Sequence, residues 1–439
     1  MWTYYPELLR DPVPRYTSYP TAADFDGRVD AAAYAEALRH IPPDTPLSLY
    51  VHIPFCEEIC WYCGCNTARS NKRSRLSAYL DALQREITLV AGLIGGRGRV
   101  KRISFGGGSP NALDPLDFVR LLGDLTVAFK AESPLISLEI DPRHFSRDWL
   151  SVIRAAKVAN ASLGVQSFAP VVQKAIGRVQ PLDLVQLLAR QLRDAGVRSL
   201  NFDLMYGLPH QDRSILKETL HQAADMLPDR IALFGYAHVP SVIPRQRRID
   251  ATALPGEAER FAMACMGHDF LVERGYQPVG FDHFALPHDP LAIAAREGRL
   301  NRNFQGFTDD RAEHLIGLGA SAISEFPGLY VQNAKNAGHY RATVADGRLA
   351  TERGVVRDSA SKACGQIIKD ILCHGEARLP AALTAAQSEG LEEFARRGLI
   401  STASGSLRLK PDAAPYARTI AALFDPRLAR KTGSFSAPI

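Results

Sequence analysis

Patterns of β-strand and α-helix alternate through most of the chain, and this alternation is the strongest constraint on its fold. The first strand pattern covers residues 47–53, and a helical face from Leu76 to Val90 follows it, with Ser74 as the predicted N-cap. Five more strands are predicted at 100–105, 135–140, 161–166, 199–204 and 230–236, with helices at 116–129, 149–153, 182–192 and 215–227. Strands separated by helices form right-handed crossovers. We therefore predict an α/β fold with a parallel sheet.

The C-terminal part of the chain has a different pattern. Helices are predicted at 361–372 and 391–397, and the segments 398–400 and 407–410 flank Ser404 and Gly405 as in a β-hairpin. A further helix is predicted at 414–424. This order resembles a winged helix, which often binds DNA, but the tail has no dense basic helix. We therefore favour a packing or lid role over nucleic-acid binding.

Composition sets bounds on class and location. The chain has 439 residues and a formal net charge of +5, so it can bury a large core but lacks the basic excess of a nucleic-acid-binding protein. Its first residues contain no apolar signal region, and no segment is as long and apolar as a membrane span. We expect a cytoplasmic protein without a membrane partner. The absence of a heptad pattern favours a monomer.

Four cysteines lie within ten residues directly after the first strand: Cys56, Cys60, Cys63 and Cys65. The first three have the spacing C-x3-C-x2-C, and a loop with this spacing can direct three thiolates to one point. Thiolates select iron–sulfur clusters or zinc. Three thiolates on a four-iron cluster leave one iron without a protein ligand, and an open coordination position is where a metal centre does chemistry. The loop therefore predicts an open iron–sulfur cluster.

Two other uses of these cysteines stay open, namely zinc binding and redox chemistry of the thiols. A structural zinc site would need four ligands, often in two separated pairs, whereas all four cysteines here share one short loop. A disulfide does not suit a chain without a secretory signal. The scattered Cys265, Cys364 and Cys373 are expected to pack as small apolar residues.

Polar residues occur at the ends of several predicted strands. Gly106, Gly107 and Gly108 follow the second strand, where a backbone without side chains can approach a ligand closely. Glu139, Gln166 and Asp203 end the third, fourth and fifth strands inside apolar runs, where an unpaired polar group is costly to bury. An ion pair with Arg143 is the alternative for Glu139. Three such residues at equivalent strand ends predict one shared site.

A basic loop, residues 69–75, follows the cysteines. The simplest interpretation is a solvated helix entry. The alternative is a docking surface for an acidic electron donor or for substrate carboxylates.

The cysteine spacing and the glycine segment resemble those of the radical S-adenosylmethionine (SAM) enzymes. That resemblance implies a partial (β/α)6 TIM-like barrel and SAM bound to the open iron. Nearly the whole chain also resembles the oxygen-independent coproporphyrinogen III oxidase family. The resemblance rests on Cys65 as the extra cysteine and on the segments 14–22, 280–285, 302–307 and 319–324.

The resemblance implies a [4Fe–4S] cluster held by Cys56, Cys60 and Cys63, with Cys65 not a ligand, and two bound SAM molecules. The implied SAM contacts are Tyr50, Tyr62, Gly107, Gly108, Ser109, Glu139, Gln166, Arg178, Asp203, Ala237 and Ile323. The family more often has Thr where this chain has Ser109, and members often place an aromatic residue near Ala112 that is missing here.

The implied reaction converts two propionates of coproporphyrinogen III to vinyl groups, giving protoporphyrinogen IX. An electron donor such as flavodoxin or ferredoxin is implied as a partner. Arg15, Arg302 and the basic loop are our candidates for propionate contacts. The predicted parts are an N-terminal segment covering the site (1–44), a barrel domain (45–325) and a mostly helical C-terminal domain (326–439).

Three alternatives stay open. The first is a haem chaperone of the same superfamily, which typically lacks both Cys65 and the leader at residues 16–19. The second is another radical SAM enzyme acting on a tetrapyrrole. The third is a zinc-stabilised regulatory protein that uses the winged-helix-like tail.

Overall fold

One large sheet runs through the computed structural model, which describes residues 2–70 and 72–428. The strands are β1 (Pro46–Ile53), β2 (Phe55–Cys56), β3 (Ala68–Arg69), β4 (Arg99–Gly107), β5 (Leu135–Ile140), β6 (Val158–Gln166), β7 (Ser199–Tyr206), β8 (Arg230–Gly235), β9 (Gln277–Val279), β10 (His283–Ala285), β11 (Asn301–Asn303), β12 (Gly306–Thr308), β13 (His314–Leu318), β14 (Ile323–Phe326), β15 (Leu329–Asn333), β16 (Thr351–Val356), β17 (Glu376–Arg378), β18 (Ile400–Ala403) and β19 (Ser406–Leu409). The α-helices are α1 (Ala31–Arg39), α2 (Arg73–Ile94), α3 (Pro115–Ala128), α4 (Arg147–Ala155), α5 (Pro170–Ala175), α6 (Leu182–Asp194), α7 (Arg213–Asp225), α8 (Glu257–Glu273), α9 (Pro290–Arg296), α10 (Ala337–Ala345), α11 (Ser359–His374), α12 (Ala385–Arg396) and α13 (Ala417–Ala422).

The large sheet is an open partial barrel, which confirms the predicted fold class. Its 12 strands have the order β16-β15-β14-β13-β1-β4-β5-β6-β7-β8-β10-β9. The six predicted strands, β1 and β4 to β8, are parallel and adjacent. β13 pairs parallel with β1, so that Tyr50 lies between Ser104 and Gly317.

The sequence analysis missed the strands on both sides of this parallel core. β14, β15 and β16 are antiparallel, as are β10 and β9 at the other edge. They are three to six residues long, so an alternating pattern has few positions in which to appear. The sheet thus continues to Val356, past the boundary expected near residue 325, which stays a prediction.

Helix α2 shows why the predicted helices form. Tyr79, Leu83, Ile87, Val90 and Ile94 lie on one face and are buried against the sheet. Gly95 ends the helix in the left-handed conformation, with φ of 63°. The prediction of Ser74 as N-cap was wrong, because the helix begins earlier, with Lys72 at the N-cap position.

The C-terminal part contains the predicted helices and hairpin. β18 and β19 form the hairpin, and β17 adds a third strand beside β19 that the sequence analysis missed. The predicted helix at 414–424 is shorter, because a 3-10 helix containing Pro415 occupies Pro411–Tyr416 before α13 begins. Within the described residues, no helix is long and apolar enough to cross a membrane.

Candidate functional site

The cysteine loop is closed at its base by a pair of short strands. Phe55 and Cys56 of β2 pair with Ala68 and Arg69 of β3, and the Ala68 N–H donates to the Pro54 carbonyl oxygen at 2.7 Å. The tip of the loop is held by the Trp61 N–H, which donates to the Ile176 carbonyl oxygen at 3.0 Å. This bracing fixes the loop at the carboxyl end of β1, where the active sites of parallel barrels lie.

The three cysteines of the C-x3-C-x2-C spacing each have a polar partner. Ser109 Oγ lies 3.6 Å from Cys56 Sγ, Arg178 Nη1 lies 3.3 Å from Cys60 Sγ, and the Cys65 N–H lies 3.4 Å from Cys63 Sγ. Burial, with smaller contributions from Cys63 and Cys60, raises the pKa of Cys56 to about 11. Hydrogen bonding from Cys65 lowers the pKa of Cys63 to about 6. The three thiols therefore differ in their surroundings, although they share one short loop.

Two arginines bring positive charge to Cys60. Arg143 Nη2 lies 3.4 Å from Cys60 Sγ, next to the Arg178 contact already described. Both arginines pair with Asp141, at 2.6 Å for Arg143 and 3.2 Å for Arg178. Although burial raises the pKa of Asp141, Arg178 and Arg143 lower it more, to about 2. A guanidinium pair beside a thiol stabilises the thiolate that a metal centre requires.

The donor set fits an iron–sulfur cluster better than a single metal ion. Among the described residues, no three Cys, His, Asp or Glu side chains are close enough together to hold one ion. A zinc site would need its ligands at such short spacing. A cluster instead bridges thiolates that lie further apart. The residues that would hold it are Cys56, Cys60 and Cys63, with Cys65 donating its N–H to Cys63.

The glycine segment approaches its neighbours too closely to tolerate side chains. The Gly107 N–H donates to Glu139 Oε2 at 3.1 Å, and a Cβ on Gly107 would overlap the His52 imidazole. Gly107 also has φ of 108°, a conformation that favours glycine. A Cβ on Gly108 would lie 2.5 Å from the Phe55 carbonyl oxygen. The segment therefore packs directly on the base of the cysteine loop.

Glu139 and Asp203 face one central cavity inside the barrel. The Glu139 side chain is exposed to the cavity, yet its depth in the protein raises its pKa to about 7. Burial also raises the pKa of Asp203, although Ser162 Oγ and Asn201 Nδ2 donate to it at 2.9 and 2.8 Å. Further small polar side chains line the same space: Ser104, Ser137, Asn160 and Ser162. Two of the three predicted strand-end residues, Glu139 and Asp203, thus meet in a polar chamber, and Gln166 does not line it.

The opposite end of the barrel is closed by polar contacts. Arg102, near the beginning of β4, pairs with Asp309, which follows β12, at 2.7 Å. Ser48 donates to the neighbouring Asp310. These four residues line the central cavity together with Glu139 and Asp203, so the cavity extends along the strands toward their amino ends.

Arg178 lies beside Cys60, and its guanidinium and the Gln166 amide both lie close to Gly164. Gln166 is buried and has φ of 67°, at an irregularity in the pairing of β6 with β7. Such a conformation is uncommon outside glycine and occurs often at functional sites. Arg178 Nε donates to the Gly164 carbonyl oxygen at 3.1 Å. The structure thus brings Arg178 to the cysteine loop and places Gln166 near Arg178.

The remaining predicted SAM residues lie around the same barrel end. Tyr50 is buried on β1, and its register partner Gly317 packs against Ile323 of β14. Gln246 Nε2 donates to the Tyr62 carbonyl oxygen at 2.9 Å and to the Ala237 carbonyl oxygen at 3.0 Å. These contacts place the residues near the loop, and their roles in SAM binding stay predictions.

The two arginines predicted to contact substrate have different surroundings. Arg302 is buried, and its Nε and Nη2 donate to the carbonyl oxygens of Tyr16 and Arg15, both at 3.0 Å. It therefore holds the N-terminal segment. Arg15 faces a cavity, and its Nη2 donates to the Gly235 carbonyl oxygen at 2.9 Å. In the basic loop, residue 71 lies outside the described residues, and Lys72, Arg73 and Arg75 are exposed.

Sequence reasoning missed several residues of the site. His52 Nε2 lies 3.2 Å from the Asn66 carbonyl oxygen, which only accepts, so His52 Nδ1 accepts from the Tyr50 hydroxyl at 3.1 Å. A polar His within an apolar strand was the available signal. Asp141 directly follows β5. The alternative of an ion pair between Arg143 and Glu139 is wrong, because Arg143 pairs with Asp141. No local pattern indicated Gln246.

The fold and the cysteine loop define a radical SAM protein. Residues 50–223 match the model of the Radical SAM superfamily, whose members carry a [4Fe–4S] cluster and use SAM. A solved structure, coproporphyrinogen III oxidase from Escherichia coli, described as a radical SAM enzyme, matches with a TM-score of 0.91. It is 35% identical and covers 97% of this chain and 100% of its own.

Curated relatives narrow the assignment. An oxygen-independent coproporphyrinogen III oxidase of Bradyrhizobium diazoefficiens is 42% identical over 426 residues, which cover 95% of each chain. An Escherichia coli protein of the same name is 39% identical over 362 residues, which cover 82% of this chain and 79% of the relative. The chain belongs to the oxygen-independent coproporphyrinogen III oxidase family.

Proposed function

We propose that this protein converts coproporphyrinogen III to protoporphyrinogen IX without oxygen, as a radical SAM oxidoreductase of porphyrin and haem biosynthesis. One observation carries the proposal: the loop with Cys56, Cys60 and Cys63 is fixed at the carboxyl end of β1, in a barrel whose cavity is lined by Glu139 and Asp203. The substrate is inferred from the names of the relatives, which are up to 42% identical to this chain.

The reaction removes one hydrogen atom, CO2 and one electron from each of two propionates, leaving vinyl groups. When bound, the cluster and SAM supply a 5′-deoxyadenosyl radical able to take hydrogen from a saturated carbon. The protein does not need a strong acid or base for this step. Its residues must bind and orient the reactants and keep water away.

The described side chains suit these tasks. Cys56, Cys60 and Cys63 would hold three irons, while Arg143 and Arg178 lie beside Cys60 and offset negative charge there. Glu139 can accept hydrogen bonds from ribose hydroxyls or from an ammonium group. The backbone of Gly107 and Gly108 lies beside it, where a ligand can approach without meeting a side chain.

Two SAM molecules are part of the proposal. Glu139 and Asp203 lie on different strands of the same cavity, Arg178 lies beside Cys60, and Gln166 lies near Arg178. Together with Tyr50, Tyr62, Ser109, Ala237 and Ile323, these groups provide enough polar and backbone contacts around the loop for two ligands. The N-terminal segment, held by Arg302 and by Asp425, is suited to cover them.

We also propose a flavodoxin- or ferredoxin-type electron donor that docks at the exposed basic residues Lys72, Arg73 and Arg75, next to the cysteine loop. A reducing compartment would keep all seven cysteines free, as they are in the structure, which supports the cytoplasm as the location. We propose that the protein acts as a monomer, since one chain contains all the site residues.

An anaerobic assay tests the function. Reconstituted protein is incubated with SAM, a reductant and coproporphyrinogen III, and the product is analysed by mass spectrometry. We expect a product lacking two carboxyl groups, with methionine and 5′-deoxyadenosine formed alongside. Tight binding of haem without conversion of coproporphyrinogen III would contradict the proposal and support the haem-chaperone alternative.

A further inference from the structure

A second cavity lies beside the barrel, at the meeting point of three parts of the chain. Its lining includes Arg15 of the N-terminal segment, Arg260 of α8, Asp282 before β10, and Arg418 of α13. The rings of Tyr206, Tyr236, Phe281 and Phe284 complete much of the wall. Apolar walls with guanidinium groups suit a carboxylate carried on a short hydrocarbon arm.

The cavity has an excess of positive charge. Among the described residues that line it, three carry a guanidinium group and one, Asp282, carries a carboxylate. Asp282 Oδ1 already lies 2.6 Å from His283 Nδ1. Burial and, to a smaller extent, the nearby Arg15 lower the pKa of Arg418 to about 10. Guanidinium groups that repel one another in a partly enclosed space favour the entry of an anion.

The arginines are positioned in part by carbonyl oxygens and aromatic rings. Arg260 Nη2 donates to the Tyr236 carbonyl oxygen at 2.7 Å, and the Arg15 guanidinium lies 5.6 Å from the centre of the Phe234 ring. The Arg418 guanidinium lies 5.5 Å from the centre of the Phe281 ring. Contacts of this kind orient the guanidinium groups toward the cavity that they line.

The cavity adjoins the cysteine loop and the central cavity. Ala237 is part of its lining, and Gln246 connects the Ala237 backbone to Tyr62 of the loop. Phe234 lies under Arg15 and also lines the central cavity with Glu139 and Asp203. A ligand that reaches from one cavity to the other would pass Phe234.

We propose that this cavity receives a propionate carboxylate of the tetrapyrrole substrate and that Arg15, Arg260 and Arg418 anchor it. The inference rests on the proposed function. An anchored propionate would fix the ring relative to the cysteine loop while another propionate lies at the reacting position. The anchor forms only when the N-terminal segment, the barrel and α13 are in place together.

Equilibrium binding tests the anchor without relying on turnover. The probe is coproporphyrin III, the oxidised form of the substrate, added anaerobically to the reconstituted holoenzyme without SAM and followed by its fluorescence. We expect Arg418→Gln and Arg260→Gln to weaken binding by about 10- to 100-fold, the effect of losing one charged hydrogen-bond partner. Arg418→Lys keeps the charge and should recover most of the affinity.

Matched controls separate charge from folding. Arg408→Gln removes an exposed arginine of the same C-terminal part and should leave binding unchanged. The tetramethyl ester of coproporphyrin III has no carboxylates, so its binding should be the same in wild type and variants. Circular dichroism and thermal unfolding check that each variant is folded. If Arg418→Gln does not fold, binding of coproporphyrin III by Arg260→Gln tests the anchor.

Several results would overturn the anchor. The proposal is wrong if both Gln variants bind coproporphyrin III as wild type does, or if the ester is weakened as much as the acid. It is also wrong if SAM affinity, measured by equilibrium dialysis, falls while porphyrin affinity does not, since the carboxylate would then be that of SAM. If wild type neither binds coproporphyrin III nor converts coproporphyrinogen III, the proposed function itself fails.

Discussion

The Tyr16 hydroxyl lies 3.1 Å from the Asp425 carboxylate, although 409 residues separate the two in the chain. Tyr19 donates to the other oxygen of the same carboxylate, also at 3.1 Å. Burial and the adjacent Asp425 raise the pKa of Tyr16, so its hydroxyl stays a donor. Asp425 therefore fixes the N-terminal segment to the C-terminal part of the chain.

Tyr16→Phe should loosen this segment. It removes one donor from a buried carboxylate, which costs about 1 to 2 kcal/mol. Because the bond joins the segment to the rest of the protein, limited proteolysis should cut within residues 2–30 faster than in wild type. Mass spectrometry of the fragments measures the effect.

Tyr276→Phe is the matched control for that experiment. Tyr276 is also buried, but its hydroxyl donates to the Pro228 carbonyl oxygen, away from the N-terminus. This variant should lower the thermal unfolding temperature without exposing residues 2–30. If the protease cut residues 2–30 equally fast in both variants, the Tyr16 hydrogen bond would not be what holds the segment.

Replacing any one of Cys56, Cys60 or Cys63 by Ser should remove the cluster and abolish turnover, because a hydroxyl is a poor ligand for iron in such clusters. Iron and sulfide content after anaerobic reconstitution, together with the visible spectrum, measures the loss. Cys65→Ser should keep the cluster, since the contact to Cys63 Sγ includes the backbone N–H of residue 65.

Cys364→Ser serves as the control for the cysteine series. Cys364 lies on α11, in the part of the chain that follows the large sheet, and its replacement should leave iron content unchanged. If Cys65→Ser lost the cluster as completely as Cys60→Ser, the assignment of three ligands would be wrong.

Gly107→Ala should weaken SAM binding and stability together. Its Cβ would overlap the His52 ring, and its φ of 108° is unfavourable for alanine. The backbone conformation costs about 1 kcal/mol and the overlap about 1 to 3 kcal/mol more. Equilibrium dialysis with SAM and thermal unfolding measure the two effects.

Gly196→Ala isolates the backbone contribution. Gly196 has a similar φ of 98°, but nothing lies within 4 Å of the position that a Cβ would occupy there. It should lose about 1 kcal/mol of stability and no SAM affinity. Equal losses in the two variants would show that the contact with His52 is unimportant.

Glu86 should make stability depend on pH. The Gly319 N–H and the Tyr340 hydroxyl donate to its Oε2, both at 2.7 Å, and Asn333 Nδ2 donates to Oε1 at 2.6 Å. Burial nevertheless raises its pKa to about 7. The folded protein thus keeps a proton that the unfolded chain releases near pH 4.5. The resulting stabilisation is complete below about pH 4.5 and is lost as the pH rises through 7.

Urea denaturation of the cluster-free protein at pH 5, 6, 7 and 8 measures this effect. The free energy of unfolding should fall by up to about 3 kcal/mol over the range because of Glu86. Glu86→Gln has no carboxyl group to titrate at this position, so the free energy of unfolding should depend less on pH. Glu132→Gln changes an exposed residue and should leave the pH dependence as in wild type. A curve unchanged by Glu86→Gln would contradict the assignment.

The parallel core could be predicted from the sequence because its signals are local. Strand β5 was predicted at its observed bounds, and the cysteine spacing located the site before any contact was known. Helix α8 was missed because its apolar residues do not keep to one face, with Phe261, Met263 and Cys265 all buried. The short antiparallel strands were missed because they contain too few residues for an alternating pattern to appear.

The sequence by itself determined the α/β class, the cysteine loop and the polar strand ends, since each depends on residue type and spacing within a short segment. Only the tertiary structure decided that Arg143 pairs with Asp141, that Gln246 connects Tyr62 to Ala237, and that Arg15 and Arg418 share a cavity. The physical reason is that these pairings depend on how distant segments pack, because a guanidinium or amide binds whichever acceptor the fold places within reach.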